Sequence, residues 1–153
     1  MKKLFLFIVL FSMLSWKGLF GQISLSCLFP DTINVGQQTN AEIVIYKDKL
    51  ILYGNLQISK SPVTQIDFIQ NQGKIYQFKN VYGTLWQPLP SNQQIVTDFN
   101  LKILAKKILP KNLTFHVLFT YLFIGYPGYT DSYITYRLEE KNGRRFYVLT
   151  GTE

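Results

Sequence analysis

The run Leu113–Ile124 alternates with period two. Leu113, Phe115, Val117, Phe119, Tyr121 and Phe123 are all apolar, while Thr114, His116 and Thr120 interrupt the positions between them. Successive side chains of a strand point to opposite faces, so this pattern predicts a strand with one face in a core. At about 3.4 Å per residue the run would reach roughly 40 Å, which predicts a bend or bulge within it. Its apolar close at Leu122 and Ile124 predicts an end covered on both faces. It reads as a central strand.

Shorter alternating runs predict strands at Ile23–Phe29, Ala41–Tyr46, Leu50–Ile58, Ile75–Phe78, Val81–Trp86, Gln94–Leu104, Tyr133–Glu139 and Arg145–Leu149. Val63–Gln70 fits a strand or one helical turn equally. Gly54 shares the core-facing set with Leu50, Leu52, Leu56 and Ile58, which predicts a bulge or a close approach by a neighbour. Lys47-Asp48 predicts a hairpin turn between the strands on either side, and Lys141-Asn142-Gly143 another. Gln94–Leu104 and Leu113–Ile124 are expected to pair as an antiparallel hairpin, and Gly125–Ser132 to be a loop. Gln87–Asn92, with two prolines, reads as a connection. Eight to ten short strands without an amphipathic helix predict an all-β protein, an antiparallel β-sandwich of immunoglobulin-like or jelly-roll type.

The first residues read differently. Lys2-Lys3, the apolar run Leu4–Leu14 and small Gly21 have the layout of a secretory signal peptide over residues 1–21, followed by a single sandwich domain over 22–153. An apolar run this short falls well below the roughly 20 residues of a spanning helix. An uncleaved anchor is the alternative, and lipid attachment at Cys27 a weaker one, because Ser24 stands where a leucine belongs. The expected location is therefore periplasmic or at the cell surface. A lone cysteine forms no internal disulfide, and Cys27 shares its face with Ile23, Leu25 and Phe29, so a buried thiol is expected.

Loss of Lys2, Lys3 and Lys17 with the signal reduces the formal charge from +7 to +4, since 13 basic residues then face 9 acidic ones. Apart from Lys106-Lys107 with Lys111, and Arg144-Arg145, these charges are scattered, and nucleic acid is not an expected partner.

Catalytic chemistry finds little to work with. The single histidine, His116, and the single cysteine, Cys27, lie far apart in the chain and provide no zinc set of usual composition. The acidic residues show no calcium-loop spacing, and no phosphate-cradling glycine loop or nucleophile elbow occurs. No catalytic residue, metal or cofactor is expected, and the chain reads as non-enzymatic. The excess is aromatic: Tyr126, Tyr129 and Tyr133 crowd one segment, with Tyr82 and Trp86 beside the proline turn. Such side chains suit recognition of a protein or stacking on sugar. The alternative is that they cover the open ends of the sandwich.

Pro30-x4-Val35-Gly36 followed by Ala41–Tyr46 resembles the opening of bacterial immunoglobulin-like and cohesin-like sandwiches. Gly54-x-Leu56-x-Ile58, Phe78, Trp86-x2-Leu89-Pro90 and Phe99-x-Leu101 resemble a secreted domain of envelope proteins from gliding-type Gram-negative bacteria. The likeness spans roughly Ile23–Leu138. It implies an exported, non-catalytic binding or structural module whose partner is an envelope or surface protein, or alternatively a polysaccharide. A small outer-membrane barrel is the third reading; the uneven strands and the absence of a terminal aromatic count against it.

Overall fold

The computed structural model describes residues 23–61, 66–70, 76–78, 81–84, 86–91 and 93–153. The expected signal segment 1–21 lies outside them. The four-stranded sheet has the order β1 (Ser24–Leu28), β3 (Gln38–Tyr46), β9 (Gln94–Ile103), β5 (Ile66–Gln70). The eight-stranded sheet runs β2 (Thr32–Asn34), β12 (Arg144–Thr152), β11 (Tyr126–Lys141), β10 (Asn112–Phe123), β4 (Ile51–Ser61), β7 (Val81–Gly83), β6 (Tyr76–Phe78). The short β8 (Gln87–Pro88) pairs with β4 off this path. All pairings are antiparallel. The protein is an all-β two-sheet sandwich. Among the described residues strand pairing does not join the two sheets, so the closed-barrel alternative is set aside.

The core forms because the predicted alternation holds. Leu113, Phe115, Val117 and Phe119 of β10 are essentially inaccessible, facing Ile43, Ile45, Phe99 and Leu101 of the other sheet. Each such side chain removed from water contributes about 1.5–3 kcal/mol. Phe29 joins the layers. Its ring meets Phe99 edge-on at 5.8 Å and Phe115 at 5.3 Å, one from each sheet.

Several expectations are corrected. Gln94–Leu104 does not pair with the long strand: β9 lies between β3 and β5, and β10 between β11 and β4. Alternation sets which face is buried, but both sheets bury a face against the same core, so it leaves the pairing partner open. For the same reason Lys47-Asp48 makes no hairpin; it carries the chain from one sheet to the other. Gly125–Ser132 is not a loop. Ile124 (φ 47°) and Gly125 (φ 80°) form a two-residue turn, and Tyr126 opens β11 opposite Phe123. The sequence signal for such a turn is Asn-Gly, as at Asn142 (φ 52°) and Gly143 (φ 72°); isoleucine hides it. Ile124 is exposed rather than covered. Gln87-Pro88 does make a strand, a two-residue one against Tyr53 and Gly54.

The predicted irregularity in the long strand falls on its neighbour. Leu122 pairs with Tyr53 and Phe123 with Ile51, leaving Leu52 as the extra residue of a bulge. The bulge turns Ile51 into the core and Leu50 and Leu52 outward. Gly54 is the close approach: a Cβ there would lie 2.8 Å from the Thr120 carbonyl oxygen and 2.9 Å from the Phe119 ring.

Candidate binding face

The even positions of β10 form the outer face of the large sheet. His116, Leu118, Thr120 and Leu122 pair with Tyr133, Asp131, Tyr129 and Pro127 of β11, and with Ser59, Gln57, Asn55 and Tyr53 of β4. Cross-strand partners lie about 5 Å apart, so each set of three makes a row across the sheet. One row, Tyr53–Leu122–Pro127, is apolar and continues to Pro88 of β8.

A shallow trough of about 610 Å³ opens on this face. Trp86 and Tyr129 are among its walls, both more than half exposed, and Leu118 and Thr120 lie between them on β10. The Thr120 hydroxyl donates to Asn55 Oδ1, tying β10 to β4 beneath it. Gly128 widens the trough, since a Cβ there would come within 2.6 Å of the Tyr121 ring.

At one end stands an ordered polar group. His116 Nε2–H donates to Asp131 Oδ2 at 2.9 Å, and the imidazole stacks on Tyr133 at 4.3 Å with 6° between the planes. Imidazole and phenol are thereby held in one orientation from below and beside. The site has the composition of ligand grooves generally, an apolar lining with a few placed polar groups.

The structure brings Trp86 and Tyr129 to the trough, with Tyr133 next to it through His116. Their exposure shows that Trp86 and Tyr129 are not lids on a core. Tyr126 stands apart: it pairs with Phe123, so alternation puts it on the opposite face from Tyr129. Tyr82 belongs to β7 by its backbone, opposite Ile58; its side chain lies outside the described residues. Sequence reasoning missed Asp131 as a partner of His116. Read as strand rather than loop, Asp131 and Tyr133 share a face opposite to that of Ile134 and Tyr136, and that was the available signal.

Cys27 lies against the core on the inner side, half-buried. Burial pushes its thiol up to about 11, with a hydrogen bond to the Ser132 side chain acting the other way. It is therefore protonated at neutral pH and a poor nucleophile. His116 faces outward on the far side of the large sheet. Among the described residues no group of three His, Cys, Asp or Glu side chains is placed to hold a metal ion.

No protein-family profile matches the chain, and no curated protein matches it. Among solved structures it is similar to a DUF4466 family protein from Parabacteroides merdae, with 11% identity and a TM-score of 0.47. The match covers 71% of this chain and 42% of the other, so the chain spans less than half of that protein's length. No residue role passes across at that level of likeness.

Proposed function

We propose that the chain is an exported, non-catalytic sandwich module of immunoglobulin-like or cohesin-like kind, which makes a protein–protein contact in the cell envelope or at the cell surface. The outer face of the large sheet is the contact surface. One observation carries this reading: Trp86, Tyr129 and Tyr53 stand about half exposed or more around an apolar trough and row spanning four strands. Folded monomers rarely leave contiguous apolar area exposed without a use, and Trp and Tyr dominate the centres of protein interfaces. The non-catalytic part is supported by the separation of Cys27 and His116 on two sides of a sheet, which denies the nucleophile–base contact that acyl chemistry needs.

The test is photo-crosslinking in the native envelope with a benzoylphenylalanine at position 129. A discrete adduct with one protein, lost on Trp86→Ala, is expected; absence of any adduct sinks the protein-contact reading. The His116–Tyr133 stack beside exposed Trp86 favours a second reading, a polysaccharide seated in the trough. Retention on insoluble polysaccharide, lost on Trp86→Ala, would identify that case.

A further inference from the structure

The fold also gathers charge that the sequence keeps apart. Arg145 Nη1 donates to the Lys107 carbonyl oxygen at 3.2 Å, so the β9–β10 connection carrying Lys106-Lys107 lies against the start of β12. Val35 N–H donates to the Arg145 carbonyl and Gly36 N–H to the Ile103 carbonyl, which brings the turn after β2 to the same end. Two hollows of about 460 and 530 Å³ open there, and both are lined by Asn34 and Arg144. Arg145 lines the first and Lys141 the second.

Lys141 and Arg144 are direct cross-strand partners flanking the Asn142-Gly143 turn. Like charges so placed repel and destabilise a hairpin unless something neutralises them. Among the described residues, neither of them forms an ion pair, nor do Lys106 and Lys107. The nearby Glu139 is engaged by Arg137 at 2.7 Å, which leaves Glu140, opposite Arg145, as the carboxylate in register with this group. Of these cations Lys141, Arg144 and Arg145 line the hollows.

We propose that this end is a binding site for a phosphate group, free or carried by a lipid. Arg144 presents a planar fork that matches two phosphate oxygens, Lys141 supplies a second positive charge across the turn, and Asn34 offers a neutral amide between the hollows. The site is separate from the aromatic trough and stands or falls independently of the contact proposed there.

The test is titration of the full-length chain with pyrophosphate, followed by NMR of the backbone amides. Saturable shifts at Asn34 and Gly143–Arg145 are expected, with affinity falling about tenfold or more in K141Q/R144Q, because hydrogen bonds to charged groups are the stronger class. R137Q, whose arginine is already paired, should change affinity less than twofold. In a second arm the chain is sedimented with phosphatidylglycerol or phosphatidylcholine vesicles. Retention on the anionic vesicles that the double variant loses assigns a lipid-borne phosphate, whereas pyrophosphate binding alone assigns a free one. A thermal midpoint in K141Q/R144Q no lower than that of the parent chain certifies its fold, since loss of the cross-strand repulsion can only raise it. Absence of saturable binding in both arms, or equal loss in R137Q, overturns the proposal.

Discussion

The phenol of Tyr136, wholly buried in the middle of β11, donates to the carbonyl oxygen of Pro30 at 2.7 Å, 106 residues earlier in the chain. Its ring meets Phe115 edge-to-face at 5.9 Å. The connection after β1 is thereby fastened through the core, and burial raises the phenol far above its usual range. Tyr147 does the same for the connection between β9 and β10, donating to the Pro110 carbonyl at 2.7 Å.

Tyr136→Phe keeps the ring and leaves the Pro30 carbonyl without this partner. A buried polar group so stranded costs about 1–3 kcal/mol. Urea unfolding should show a lower midpoint with an unchanged slope, whereas Tyr126→Phe, at an exposed ring, should show no change.

Ile124 holds a left-handed backbone that a β-branched residue tolerates poorly, at a cost of about 1–2 kcal/mol. Ile124→Asn supplies the residue this turn favours. Because the isoleucine side chain is exposed, nothing in the core is lost. A stability gain of about 1 kcal/mol is expected in chemical denaturation; a loss would show that the side chain has a use the turn geometry does not reveal.

Glu42 and Asp98 face each other across β3 and β9. A shared hydrogen bond with Asp98, then burial and the like charge, raise the Glu42 carboxyl above its ordinary value. A raised carboxyl means that the folded state binds the proton more tightly than the unfolded chain, so the pair costs stability once pH rises through that value and costs none below the unfolded one. Asp98→Asn should therefore raise the thermal midpoint at pH 7, and the gain should vanish toward pH 4. A gain that persists at low pH would point away from charge repulsion.

Gly54→Ala sets a methyl group against the Thr120 carbonyl and the Phe119 ring, at distances that force β4 and β10 apart. Overpacking of this kind costs about 1–3 kcal/mol. Gly151→Ala, with open space around its Cβ position, is the matched control and should be neutral in the same thermal scan.

The chain's alternation by itself determined that this is an all-β protein and which side chains of β3, β9 and β10 line its core. A period of two assigns faces without reference to anything distant. The aromatic excess likewise marked Trp86 and Tyr129 as candidates. Pairing was another matter. Two sheets that bury a face against one core look alike in sequence, so only the tertiary structure separated β9 from β10 and made β4 and β11 the neighbours of β10. The site followed from that choice. His116 found Asp131 and Tyr133 because a turn at Ile124-Gly125 set the register of β10 on β11, and isoleucine at positive φ is a signal no propensity argument favours. The Asn-Gly turn made Lys141 and Arg144 neighbours locally, but they met Asn34 only because β2 pairs with β12 from more than a hundred residues away, a register that local pattern does not encode.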